Sequence, residues 1–343
     1  MKAWELNGFG LQHLKLADRP IPKPAPNEAL VRVRAVSLNY RDKLIYDGIY
    51  NRDLRFPVVQ GADASGEIVE VGKQVTRFRI GDRVLTHYAT RWFDGEPQGD
   101  EAVHTLGNTI SGALTEFVAL DEQALVSKPE YLTDEEASTL PVAALTAWMA
   151  LVEKGKLREG QTVLIQGTGG VSIFGLQLAT ALGARVIVTS SSDEKLVRAK
   201  ALGAVDGINY SRLPNWEEAV LELTGQKGVD HVLEVVGGGS LSKSIAATKP
   251  GGQISVIGIL DGLTSTIELW RVLKNQVVLR GIGGAGHRRA FEDMNKALAK
   301  FQLRPMIDAV YPFADTLSAY QHLERGAFGK VVIQVASRDG SST

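Results

Sequence analysis

The chain has 343 residues, with 38 Lys plus Arg against 39 Asp plus Glu, no cysteine, 44% hydrophobic and 22% charged residues. At roughly 150 residues per domain this length suggests two domains, large enough to bury a core without disulfides. The balanced charge gives no basic field for a nucleic-acid backbone, and the absence of cysteine excludes disulfides, thiolate metal sites, iron–sulfur clusters and a cysteine nucleophile. Ala29–Val36 (ALVRVRAV) alternates apolar and charged residues, as a half-buried strand does. Glu67–Val71 and Arg83–Leu85 are similar short pieces between Pro and Gly punctuation, a spacing that suggests a barrel or sandwich. The polar, glycine-rich run Thr86–Ser111 reads as a long surface loop. The apolar stretch Val142–Val152 is too short to span a bilayer, and MKAWELNGFG has no apolar signal core. We therefore expect a cytoplasmic protein with no membrane and no nucleic-acid partner.

The rhythm changes near residue 130. Thr133 with three acidic residues behind it starts a helix. Gln161–Gln166, Arg185–Thr189, Val229–Val236, Gly252–Ile259 and Asn275–Ile282 read as strands. They alternate with helices ending at Leu182 and spanning Asp193–Leu202 and Arg289–Phe301. That alternation predicts an α/β fold with a doubly wound parallel sheet. After Arg304 the chain reverts to short mixed elements.

Gly167-Thr168-Gly169-Gly170-Val171-Ser172 lies between a predicted strand and a predicted helix. A tight turn there brings backbone N–H groups and a helix N-terminus up to a pyrophosphate. Ser172 replaces the third glycine of the fingerprint and is small enough to allow close helix–strand packing. The next strand ends at Ser190 and Ser191, where an NAD site usually carries an acid for the ribose hydroxyls. Ser190 removes that carboxylate and its repulsion of a 2′-phosphate, and Lys195 follows with positive charge, so NADPH is expected over NADH. The plainer reading is that these serines cap the next helix.

At these residues the sequence resembles a medium-chain dehydrogenase/reductase. The motifs that carry the likeness are Gly61-Ala-Asp63-Ala-Ser-Gly66 through Gly72, Gly81-Asp82-Arg83-Val84, the Gly155–Gly170 crossover, Val229–Gly238 and Lys249–Gly252, with Gly329-Lys330 near the end. The resemblance is strongest to zinc-free quinone oxidoreductases and enoyl reductases. It implies a GroES-like β-barrel domain over 1–127, completed by 286–343, and a Rossmann domain over 128–285. Asn39, Ala62 and Val142 stand where zinc-dependent members carry their ligands, and they cannot complete a three-ligand zinc site. The six histidines show no ligand spacing, so no metal is expected.

The resemblance also assigns single positions. Thr146 matches a threonine beside the nicotinamide. Ile257 and Ile259 flank a backbone stretch that meets the carboxamide, and Gly283 and Gly284 fall in a second such stretch. Lys330 matches a cation near the pyrophosphate, and Tyr210 a tyrosine near the 2′-phosphate. Tyr50, spaced from Asn39 and Asp42 as in enoyl reductases, is the expected proton or hydrogen-bond donor, with Asn39 on substrate or nicotinamide. Arg41, Asp63, His87 and Trp92 are expected around the substrate. Asp63 would brace Arg41 or Arg83, and Trp92 with Phe93 would form an apolar lip. Gln276–Ile282 resembles the strand through which family dimers extend their sheets, so a homodimer is expected. The activity implied is reduction of quinones or α,β-unsaturated carbonyl compounds. A zinc-independent alcohol dehydrogenase or carbonyl reductase, and a non-catalytic NADPH-binding protein, stand as alternatives.

Overall fold

In the computed structural model, which describes residues 1–335, the chain begins with eight strands: β1 (Lys2–Leu6), β2 (Leu14–Asp18), β3 (Glu28–Ser37), β4 (Val58–Val59), β5 (Asp63–Val71), β6 (Arg83–Thr86), β7 (Phe117–Asp121) and β8 (Leu125–Ser127). One short helix, α1 (Tyr40–Tyr46), interrupts them. The expected alternation holds in β3 only over Val31–Ala35, where Val31, Val33 and Ala35 are buried, Arg32 is exposed and Arg34 is half-buried, while Ala29, Leu30, Val36 and Ser37 are buried too. All pairings among these strands are antiparallel. β3 is the spine: β5 runs along one edge, and β7 takes Glu28–Arg32 of the other.

Thr133 accepts from the Glu136 N–H while Glu136 reaches back to the Thr133 N–H, a capping box that starts α2 (Asp134–Ala137). α3 (Leu145–Trp148) follows, flanked on both sides by wider turns. Then come β9 (Thr162–Gln166), α4 (Gly170–Ala181), β10 (Arg185–Ser190), α5 (Asp193–Ala201), β11 (Asp206–Asn209), α6 (Trp216–Leu223), β12 (Val229–Glu234), α7 (Ser240–Ala247), β13 (Thr248–Val256), α8 (Leu269–Asn275) and β14 (Val278–Gly281). The six strands form one parallel sheet in the order β11-β10-β9-β12-β13-β14. Leu164, Ile187, Val232 and Ile254, one from each central strand, are buried in its core. The last strand, expected over Asn275–Ile282, begins later, at Val278: Leu269–Asn275 is helical and ends at Gln276 in the left-handed conformation, φ 51°.

The chain returns through α9 (Arg288–Phe301), β15 (Ile307–Pro312), α10 (Thr316–Arg325) and β16 (Lys330–Gln334). His287 caps α9 by accepting from the Ala290 N–H at 3.0 Å, and Phe291, Met294 and Leu298 form its buried stripe. β16 pairs with β15 and with Ala35–Ser37 of β3.

The compact units are Met1–Leu145 with the chain from Gly284 on, and Thr146–Gly283. Residues 128–145, expected in the nucleotide-binding domain, therefore belong to the first unit. Ser65 Oγ donates to Asp134, Arg83 pairs with Asp134, and Ser37 Oγ donates to the Ser138 carbonyl at 2.9 Å. The Thr86–Ser111 run is also not a surface loop throughout, because Tyr88, Ala89, Trp92, Thr105 and Leu106 are buried.

Candidate active site

In the second unit the strand order reverses between β9 and β12, the place where open parallel sheets bind ligands beyond their carboxyl ends. Gly167 turns there with φ 68°, and Gly169 precedes the first helical residue, Gly170. A Cβ at Gly167 or Gly169 would meet no atom within 4 Å, so the backbone lies open to a ligand. The first-turn N–H groups of the 12-residue α4, with Val171 half-buried, point out of the same end. These features fit a dinucleotide pyrophosphate. Ser172 donates to the Gln166 carbonyl at 2.7 Å, and the close packing expected of it falls instead to Gly175, whose Cβ would stand 2.5 Å from Leu233 Cδ2.

Ser190 is buried at the end of β10, and its Oγ accepts from the Ser192 N–H. Ser191 is exposed. Ser192 caps α5 through the Lys195 N–H, so the helix-capping reading holds for Ser192. The exposed Tyr210 follows β11, its N–H on the Ser190 carbonyl at 3.1 Å. Thr146 is buried in α3, Ile257 and Ile259 are half-buried after β13, and Gly283 is exposed at the end of the unit.

Sequence reasoning missed Glu234. This fully buried carboxylate ends β12. Its Oε1 accepts from the Val236 and Gly237 N–H groups, both at 3.0 Å. Its Oε2 accepts from Gln166 Nε2 at 2.8 Å and from Ser244 Oγ at 2.5 Å. Its main-chain carbonyl accepts from Ile257 and Gly258 N–H. The signal was an acid closing the apolar pair Val232-Leu233 inside a predicted strand, where burial demands partners.

In the first unit, Asn39 precedes α1, and its N–H bonds the Asp42 carboxylate at 2.9 Å. Burial pushes the Asp42 carboxyl up to about 6, against the pull of Arg41. The Asn39 side-chain oxygen Oδ1 accepts from Lys330 Nζ at 2.6 Å. Lys330 is only 3% exposed and pairs with Asp63 at 3.5 Å. Burial lowers the Lys330 ammonium and raises the Asp63 carboxyl, while each charge opposes the other's shift. Asp63 therefore braces Lys330, not Arg83. It also accepts from Ser37 Oγ and the Val142 N–H, both at 3.3 Å.

Arg41 is buried between two tyrosines. Its guanidinium lies 5.0 Å from the Tyr50 ring centroid and 4.6 Å from that of Tyr88. Nη2 donates to Thr105 Oγ1 at 3.1 Å, and Nη1 stands 3.6 Å from Asp42. Nε and Nη1 have no hydrogen bond of ordinary geometry, although Tyr50 is close enough to favour the charged guanidinium. The Tyr50 and Tyr88 hydroxyls are 2.8 Å apart, with Tyr50 43% exposed and Tyr88 buried. A cavity of about 400 Å³ in the same unit is lined by Asn51, Asn108 and Ser111 among others, and not by Arg41, Tyr50 or Tyr88. Burial pushes the Tyr88 hydroxyl well above the usual tyrosine range, so it stays protonated.

Two expected pocket residues are structural. His87 is fully buried, with Nε2 on the Gly286 carbonyl at 3.0 Å, and burial lowers its pKa to about 4. Trp92 is buried against His287, ring centroids 5.8 Å apart, and beside Gly284, while its Nε1 donates to the Gly95 carbonyl. Only Phe93, under Arg288, is exposed as a lip residue would be.

Residues 25–130 match the model of the alcohol dehydrogenase GroES-like domain, and residues 170–301 that of the zinc-binding dehydrogenase. A zinc-type alcohol dehydrogenase-like protein of Schizosaccharomyces pombe is 41% identical over 340 residues, 96% of this chain and 97% of that one. The chain is a medium-chain dehydrogenase/reductase. An acryloyl-coenzyme A reductase of Metallosphaera sedula is 33% identical, covering 97% and 99% of the two chains. The crystal structure of a putative alcohol dehydrogenase from Sinorhizobium meliloti superposes with a TM-score of 0.92 at 50% identity, over 97% and 98% of the chains. That of a mycobacterial protein complexed with NADPH gives 0.83 at 28%, over 98% and 100%.

The fold is thus a GroES-like domain with a Rossmann-type domain, and the chain is an NAD(P)H-dependent oxidoreductase. Ala62 and Val142 offer no ligand atom, the Asn39 oxygen is taken by an ammonium, and no group of three potential ligands occurs among the described residues. No helix of the described residues is long and apolar enough to cross a membrane.

Proposed function

We propose that the protein is a zinc-independent, NADPH-preferring reductase of quinones or α,β-unsaturated carbonyl compounds. The observation that carries this reading is the Tyr50–Tyr88–Arg41 donor cluster in a site without metal ligands. Bound NADPH supplies the hydride. A conjugated acceptor spreads the incoming charge onto its oxygen, where a hydrogen-bond donor suffices and a Lewis acid is not required. Tyr50 presents that O–H at the exposed end of the cluster. Tyr88, at 2.8 Å, orients the Tyr50 hydroxyl, and the Arg41 guanidinium stabilises negative charge developing at the pair. The name of the Metallosphaera relative, an acryloyl-coenzyme A reductase, supports a conjugated acceptor.

NADPH preference rests on Ser190 at the ribose position, beside Lys195 and Tyr210, and is supported by the NADPH complex of the mycobacterial neighbour. We also propose a homodimer through β14, whose four residues are all exposed. The deciding experiment is steady-state NADPH oxidation with quinones, enones and aldehydes, and NADP⁺ reduction with alcohols, each with and without chelator. Turnover with the first two classes, indifferent to chelator and faster with NADPH than with NADH, is expected. Alcohol oxidation that zinc restores after chelation would overturn the reading.

A further inference from the structure

The parallel sheet has two halves, β9–β11 and β12–β14, which meet at the reversal of strand order. In such sheets each half carries one nucleotide of the dinucleotide. The glycine turn and Ser190 belong to the first half, which leaves the second for the nicotinamide nucleotide. Glu234 ends β12, the strand of that second half nearest the turn.

The surroundings of Glu234 are those of an anion held on purpose. The partners of its carboxylate are hydrogen-bond donors rather than cations: two backbone N–H groups, one amide and two hydroxyls, those of Ser244 and, at 3.5 Å, Ser240. Its negative charge is therefore solvated by dipoles but not neutralised. The loops it ties together are those at the carboxyl ends of β9, β12 and β13. Gln166 precedes the glycine turn, Val236 and Gly237 follow β12, and Ile257 and Gly258 follow β13. Donors converge on both carboxylate oxygens, a demand that an ionised carboxylate meets and a neutral amide, with one oxygen and an NH2, does not. A buried carboxylate costs more to desolvate than a neutral group, and the fold retains it beside a site for an anionic cofactor.

We propose that Glu234 is the buried counter-anion of the nicotinamide ring, favouring the positively charged oxidised form over the neutral reduced form. The difference between the two cofactor states is one positive charge on that ring. A fixed anion below the ring's binding half discriminates between them, whereas it acts equally on the phosphates of both. The inference rests on nucleotide binding at this sheet, and its test does not depend on which acceptor is reduced.

Dissociation constants for NADPH and NADP⁺ are measured by calorimetry on the intact protein, and their ratio is the readout. In Glu234→Gln the affinity for NADP⁺ is expected to fall about tenfold relative to NADPH, the scale of one charge at intermediate effective dielectric. The glutamine amide turns an N–H towards existing donors, so Glu234→Ser, which leaves room for water, serves as the second neutral variant. Glu234→Asp keeps the charge and is expected to keep the ratio even where both affinities drop. Equal loss for both cofactors in the folded neutral variants makes Glu234 a structural residue and overturns the proposal. Failure of the unaltered protein to bind either cofactor would instead refute nucleotide binding itself.

Discussion

Tyr50 is the residue on which the proposed chemistry turns. Removing its hydroxyl as Tyr50→Phe leaves the ring on Arg41 but deletes the donor. Turnover with enones is expected to fall about 10²–10³-fold, the usual cost of one donor that serves a transition state. The loss should be smaller with the more electrophilic quinones, and NADPH affinity should stay unchanged. Unaltered turnover with every acceptor would reduce Tyr50 to packing. His87 gives a different kind of test. Its folded pKa, about 4, lies below the unfolded value near 6.5, so the folded state holds the neutral ring. Stability from this group is complete above pH 6.5 and drains away as pH falls towards 4, by about 3 kcal/mol. Urea titrations from pH 7 to 4 should show that acid slope in the native protein and a shallower one in His87→Gln.

At the scale of elements, β9, β10, β12 and β13 of the nucleotide half were legible in the sequence, because each carries a buried apolar stretch flanked by turn signals, whereas β11, α6, α7 and α8, of four to eight residues, were too short to stand out. The site in the first unit was harder. Tyr88 lies in a run whose apolar residues follow neither a helical nor an alternating period, so its burial left no trace in the pattern. Seven-residue α1 was equally hidden, being too short for a periodic stripe. The roles of Asn39, Asp63 and Lys330 depend on long-range pairings, such as that of Lys330 on Asn39, 291 positions away, which no local pattern encodes. Where strands crowd each other, glycine becomes necessary. A Cβ at Gly258 would stand 1.9 Å from the Val235 carbonyl oxygen. Gly258→Ala should therefore lower stability by about 3 kcal/mol, the upper part of the overpacking range, and weaken cofactor binding. Gly281→Ala, where a Cβ meets nothing within 4 Å, is the control and should melt with the native protein.

At the scale of the whole molecule, β14 leaves one edge of the parallel sheet unpaired. Val278 and Leu279 are exposed on it, and Leu269, Trp270 and Leu273 are exposed on the preceding α8. An open edge with apolar neighbours is a liability in a monomer. Light scattering coupled to gel filtration should report a dimer, and Leu279→Lys should shift it towards the monomer while each chain stays folded. A native protein that is monomeric at micromolar concentration would remove this interface.

The placement of β16 bears on how the chain is made. The nucleotide-binding unit is complete once Gly283 has been synthesised, whereas the first unit lacks β16 until Gln334 emerges. During translation, then, the later-starting unit finishes first, and Ala35–Ser37 of β3 wait with an open edge through nearly three hundred further residues. Nascent chains stalled anywhere between these points would carry a finished nucleotide fold joined to an unfinished sheet, a state prone to aggregation and to proteolysis. A premature stop even a dozen codons before Gln334 would remove a strand from the interior of that sheet, together with Lys330 and the buried charge it brings to Asp63.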